Sequence, residues 1–398
     1  MSIDVSVESP AQRWGRMING YVLPLGWLVM LTGMFWAWDR TLYHKLFYAL
    51  LALPTLVALV LQPRMLKALL NNPLFIAFVV FCAYTMLTIT WSDAQGSVGS
   101  LIKRPLYIAM LLFSAGIITL QSPSLLHQCV HLAAKIVALA AFISVVFFVV
   151  YQMPAGAERL DGYGALYNPL LTGHVLGAFA CIWLVSWFQA RRLLDPMSLV
   201  CLAVLGVAIL ATGSRTPLVG LAAALIWLMI VGERKRRLLA LAVVVVTLVG
   251  IALLYPEAIT QRGVSYRPAI WMEALRQIGE RPWLGHGYDA PMTVILPGVD
   301  FTLADPHNIE LGVLYAGGIV GFALWMVLYG LAMYFCWAYR KHPGVCLAAA
   351  WLIFGFASGL TEGNAFMSRP KEHWFLIWMP IALVYAQSLI HWQRPRAA

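Results

Sequence analysis

His307 stands in ADPHNIELGVLYAGGIVG, residues 304–321, where a polar stretch gives way to a long apolar one. At a helix start the positive end of the helix dipole holds an imidazole neutral, the state a general base needs; the alternative reading is an interfacial histidine acting as a hydrogen-bonded cap. Arg215 lies in GSRTP between two apolar runs. Its guanidinium, the Thr216 hydroxyl and the free N–H groups of a helix opened by Pro217 would together form an anion site, unless the arginine only snorkels to lipid headgroups. Arg267, in SYRPAIW, precedes an amphipathic segment and could swing over the same cavity, although a surface arginine on a polar loop is the default. Thr216 and Asn308 are the polar neighbours expected to touch the bound anion. Arg262, Arg276 and Arg281 have a weaker case, because Glu273 and Glu280 are local helical partners. His286 and His373 compete with His307 for the role of base. Among carboxylates Asp39, in WDR, is the best placed, followed by Glu362 in GLTEGN and by Asp93; a single Asp at a loop edge is usually a cap. No paired acidic motif and no Cys/His spacing marks a metal site, so neither metal nor cofactor is expected.

These residues must be positioned by membrane helices. The chain is 61% hydrophobic and 11% charged, far from the quarter or so charged residues of a soluble domain. Apolar runs long enough to span hydrocarbon centre on 21–38, 46–61, 73–91, 105–120, 132–153, 168–190, 197–212, 217–232, 238–255, 308–338, 344–360 and 374–390. The expected fold is therefore an all-α integral membrane protein of about twelve transmembrane helices. It forms a single polytopic domain, 1–398, with one large periplasmic loop, 256–307, that carries part of the site and contains short helices. With both termini cytoplasmic, inner segments hold 15 Lys/Arg against 4 Asp/Glu and outer ones 12 against 13, chiefly through Arg191-Arg192, ERKRR (233–237) and Arg340-Lys341. The net charge of +10 is thus an insertion signal, and nucleic acid is not a partner. No small-x-small cleavage site follows the first apolar run, which reads as an uncleaved helix. None of the six cysteines falls in an outer loop, so disulfides are not expected. No internal repeat supports a duplicated transporter architecture. Within the large loop, 268–280 has helical apolar spacing and should lie on the membrane or roof a cavity, ending before a turn in WLGHGYDA. Gly317 and Gly321 match the GxxxG spacing of close helix contacts.

Two arginines and a neutral histidine beside a lipid-filled cavity suit one reaction type: arginines neutralise a phosphate-bearing leaving group while the histidine takes a proton from an acceptor hydroxyl. The ordered set Ser214-Arg215, then R-x-x-x-W (Arg267, Trp271) with PWLGHG (282–287), then H-N-x-x-L with its glycines (307–321) resembles the O-antigen ligase and polymerase superfamily over residues 205–325. That resemblance implies a periplasmic-face enzyme of a Gram-negative inner membrane, without a metal. Its donor would be an undecaprenyl-diphosphate-linked glycan, and in the ligases the acceptor is a sugar hydroxyl of lipid A-core. It further implies His307 as proton acceptor and Arg215 and Arg267 as diphosphate binders. Polymerases carry two large outer loops with Arg-x10-Gly motifs, and protein-glycosylating members extend into a C-terminal soluble domain. Here only 276–287 fits that spacing, and 154–167 is short, so ligase is the favoured member. Two other classes stay open: a carboxylate-dependent transferase using a polyprenyl monophosphate sugar, in which Asp39 would be essential, and a lipid-glycan transporter.

Overall fold

The computed structural model describes residues 10–254, 266–296 and 302–392. Arg262 lies outside them. In chain order the main helices are α1 Pro10–Phe35, α2 Arg40–Leu61, α3 Pro73–Trp91, α4 Val98–Gln121, α5 Leu125–Gln152, α6 Pro169–Gln189, α7 Pro196–Ala211, α8 Thr216–Val231, α9 Arg234–Leu254, α10 Arg267–Ile278, α11 Ile309–Ala338, α12 Pro343–Gly359 and α13 Glu372–His391. Eight of these, α1 to α6, α11 and α13, are long and apolar enough to cross a membrane, while α7, α8 and α12 are shorter apolar helices. The β structure among the described residues is one isolated bridge, Val294 to Leu303.

Three of the expected spans differ most from the helices found. α1 opens at Pro10 rather than 21, α4 at Val98 rather than 105, and α5 at Leu125 rather than 132. Hydropathy locates the hydrocarbon-matched part of a helix, whereas the backbone hydrogen-bond ladder runs on through polar turns such as Lys103-Arg104. Much of the segment 91–104, expected as a loop, is therefore helix.

Helix faces sort by packing partner. On α5, Val130, Ala133, Ala134, Val137, Ala138 and Ala141 are buried, while Leu139, Phe142, Ile143, Val146 and Phe147 stay exposed on the opposite side. A continuous exposed stripe of that size belongs against lipid. Some buried tryptophans brace the interior through their indole N–H: Trp27 Nε1 donates to Ser114 Oγ at 2.9 Å and Trp351 Nε1 to the Phe375 carbonyl at 2.7 Å. The six cysteines are free, and all but Cys129 are buried.

Two packing details set the polar end of the bundle. α8 lies against α12 with Gly220 at the contact, where a Cβ would come within 2.6 Å of the Phe354 carbonyl oxygen. That close approach brings the GSRTP turn before α8 beside the loop that leaves α12. In α11 the backbone breaks at Gly318, with φ 60° and ψ −165°, a conformation open essentially to glycine alone. Into the break docks the PWLGHG turn, whose Gly285 also has positive φ. His286 N donates to the Tyr315 carbonyl at 2.8 Å and Gly287 N to that of Ala316 at 2.9 Å, while Ile319 N reaches back to Pro282 at 2.8 Å. Backbone groups freed by the broken helix are thereby satisfied by the loop. The GxxxG pair lies where α11 packs on α3, with Gly317 and Gly321 both facing the Tyr84 ring.

Candidate active site

The turn before α11 aims His307. Asp305 Oδ1 accepts from the His307 backbone N–H at 2.8 Å, and the residue is held at φ 46°, a conformation uncommon outside glycine. Asn308, not His307, is the helix cap: its Oδ1 accepts from Leu311 N at 2.9 Å, and its Nδ2 donates to the Leu360 carbonyl at 2.9 Å. Both ends of this buried amide are thus engaged by backbone. Asn308 ties the His307 turn to the loop after α12.

Glu362 meets that turn. His307 Nδ1 is 3.0 Å from Glu362 Oε1 and 3.3 Å from Asp305 Oδ1, so Nδ1 carries the proton and Nε2 is left with the lone pair. The other Glu362 oxygen lies 3.3 Å from the Arg267 guanidinium. The His307 side chain is 30% exposed while that of Glu362 is only 7% exposed, so the carboxylate is the inner anchor and the imidazole the outer group. The hydrogen bond to Glu362 raises the His307 pKa, burial and Arg267 oppose it, and Asp305 adds to the rise. This corrects the expectation of a pKa lowered by a helix dipole: His307 stands before the cap, and a carboxylate in hydrogen-bond contact outweighs the helix end. Burial pushes the Glu362 carboxyl up, but His307, His174 and Arg267 together hold it below the ordinary value.

The GSRTP turn supplies the second cation. Arg215 is exposed, and it forms no ion pair among the described residues. Thr216 is buried beneath it, 2.8 Å from His174 Nε2 and 3.2 Å from Ser214 Oγ. Since His174 Nδ1 is committed to the Leu170 carbonyl at 2.9 Å, the Thr216 hydroxyl donates to Nε2. Thr216 thus braces the turn from below. His174 in turn lies within electrostatic reach of Glu362 and Arg267, which makes the turn and the His307 cluster neighbours. Sequence reading passed over His174, although a histidine inside an apolar span is itself a signal.

Arg267 begins α10, a helix expected at 268–280 and found at Arg267–Ile278. Ile270, Ala274 and Ile278 bury against Met292, Val294, Leu296 and Tyr315, so the loop builds its own small core on α11. Met272 and Leu275, off that face, are exposed. The remaining candidates have local roles. Asp39 caps α2, accepting from Leu42 N at 2.6 Å. Arg276 pairs with Glu273 and Glu280 at 2.7 and 2.8 Å. His286 stacks on Tyr315 with ring centroids 4.3 Å apart, and His373 is buried below Gly363. Among the described residues no group of three or more His, Cys, Asp and Glu is arranged to hold a metal.

Fold and site together define an integral membrane protein of helices whose polar side chains gather around a histidine at one end of the bundle. A family model described as O-antigen ligase matches residues 199–326, which include Arg215, Arg267 and His307. The chain is also 57% identical over 372 residues to an O-antigen ligase of Pseudomonas aeruginosa (strain PAO1), covering 93% of this chain and 92% of the relative. It belongs to the O-antigen ligase family.

Proposed function

We propose that this protein transfers a glycan from an undecaprenyl-diphosphate carrier to a sugar hydroxyl of lipid A-core at the periplasmic face of the inner membrane, within a twelve-span bundle whose termini are both cytoplasmic. His307 Nε2 takes the proton of the acceptor hydroxyl as its oxygen attacks the anomeric carbon. The bond from that carbon to the diphosphate oxygen breaks, and undecaprenyl diphosphate leaves with the electron pair. Direct displacement of this kind inverts the anomeric centre. Arg215 and Arg267 neutralise the charge that grows on the leaving diphosphate. Glu362 keeps the proton on Nδ1 and steadies the imidazolium once formed, the role a carboxylate plays behind a catalytic histidine. Thr216 and Asn308 fix the two turns that present Arg215 and His307.

The observation that carries this reading is the linked set His307, Glu362 and Arg267, in which one buried carboxylate orients a base and pairs with an arginine. Its support from kinship is the O-antigen ligase relative aligned over nearly the whole chain. The test is reconstitution of purified protein with lipid-linked glycan and lipid A-core. Ligated product should form with the unaltered chain and with Asp39→Asn, and be lost with His307→Ala. Activity in His307→Ala with loss in Asp39→Asn would favour the carboxylate-dependent transferase, and no covalent product from folded protein would point to transport.

A further inference from the structure

A cavity of about 670 Å³ opens beside the His307 turn, with Ala304, Pro306 and Asn364 in its wall, while Arg215, Arg267 and His307 are not among its lining residues. Its size falls within the roughly 300–1,000 Å³ of small-ligand sites. Among the described residues four arginines and lysines line it, Arg40, Arg104, Arg369 and Lys371, against one carboxylate, Asp289. They come from three separate elements: the start of α2, the first turns of α4 and the loop before α13. Arg104 is held in place, its Nη1 lying 2.8 Å from Tyr288 Oη and 3.1 Å from Asp289 Oδ1. Arg40 is held by Glu372, which lies behind the wall, and by the face of the Tyr167 ring. Arg369 and Lys371 have no carboxylate within ion-pair distance among the described residues. Burial lowers the Lys371 pKa, Glu372 opposes it, and Arg40 and Arg104 add to the lowering.

We propose that this cavity binds a phosphate-bearing saccharide, the anionic part of the acceptor, and so selects which glycolipid presents its hydroxyl to His307. The inference rests on the ligase reading for the identity of the acceptor. A phosphate dianion matches the excess of cations better than a single carboxylate does, and guanidinium forks suit its oxygens. Gln95, Ser100, Asn364 and Ser368 in the same wall offer hydrogen bonds to sugar hydroxyls.

The test uses the full chain in detergent, with lipid A-core either intact or stripped of its core phosphates. Arg369→Gln and Lys371→Gln should each raise the acceptor KM about tenfold, the loss expected for one charge-assisted contact, with kcat and the donor KM little changed. Arg369→Lys should recover part of the loss, and unchanged melting temperatures would exclude misfolding. Stripping the phosphates should raise the KM of the unaltered protein and abolish its difference from the variants. Equal KM for both acceptors would overturn the proposal, as would a rise in donor KM alone, which would assign the cavity to the donor. Binding of the phosphorylated core oligosaccharide, measured without donor on His307→Ala, separates the two readings. Retained binding without transfer in the unaltered protein would sink only the catalytic reading, and absent binding would sink the cavity.

Discussion

At His307 the hydrogen bond to Glu362 acts in two opposed directions. It raises the imidazole pKa, making a stronger base, yet it also keeps the ring protonated to higher pH than the ordinary value of about 6.5. If the neutral ring is the active form, the acid limb of kcat must lie above that value, and activity falls as pH drops through it. Glu362→Gln should move the limb to lower pH and reduce kcat about 10- to 100-fold, as the tautomer and orientation are less well held. A pH–rate profile with an unmoved limb would remove Glu362 from the mechanism. The linkage to stability has the opposite sense. A raised folded pKa gives stabilisation that is complete below the unfolded value and is lost as pH rises through the folded one, so the active form is the one that has given up this contribution. The two arginines separate by environment. Arg215 is exposed and has no ion-pair partner among the described residues, so Arg215→Ala should leave the melting temperature unchanged while activity falls about 100-fold or more, with Arg215→Lys losing less because the charge remains. Arg267→Ala leaves the buried Glu362 carboxylate short of a partner, and should also cost about 1–3 kcal/mol of stability. Undiminished turnover in both Arg215 variants would exclude that residue from the site.

At the scale of elements, the loop that carries Arg267 is held by a helix broken at Gly318. The chain from Arg267 to Gly287 is fastened to α11 through main-chain bonds at Gly318, and a Cβ there would sit 2.3 Å from the Trp283 carbonyl oxygen. Gly318→Ala should therefore cost about 1–3 kcal/mol and, by undocking the loop that carries Arg267, most of the activity. Gly330→Ala is the control, since it lies in the same helix with nothing within 4 Å of a Cβ; thermal melts and transfer assays of the pair separate loop docking from general helix effects. Equal behaviour would mean that the break does not position the site. The same region shows what sequence can and cannot reveal. α10 was legible because Pro268 and the spacing of Ile270, Ala274 and Ile278 are local facts. The contact of His307 with Glu362, 55 residues apart, was not. It exists because α11 and α12 pack together and Asn308 ties the two loops, and periodicity carries no information about such tertiary closure. Glu362 therefore looked like one more acid at a loop edge, ranked behind Asp39, which turned out to cap a helix.

Across the whole molecule, charge and chemistry share an axis. The expected outer end holds 12 of the 27 Lys/Arg residues, in the compartment where the insertion rule disfavours them. Arg215 and Arg267 belong to the candidate site, and Arg104, Arg369 and Lys371 to the adjoining cavity. Such cations are tolerated at that end if they serve anionic substrates, whereas the short basic turns at the other end, such as Arg191-Arg192, need only orient the chain. This division makes a topological prediction. A cysteine at Glu280, exposed at the end of α10, should react with a membrane-impermeant thiol reagent in intact cells once the outer membrane is made passable. A cysteine at Arg191, exposed at the opposite end, should react only after the inner membrane is opened. The native cysteines give a low background, because five are buried and Cys129 is half-buried. The reverse pattern would put His307 and both groups of arginines in the cytoplasm, and the proposed periplasmic transfer would fall with it.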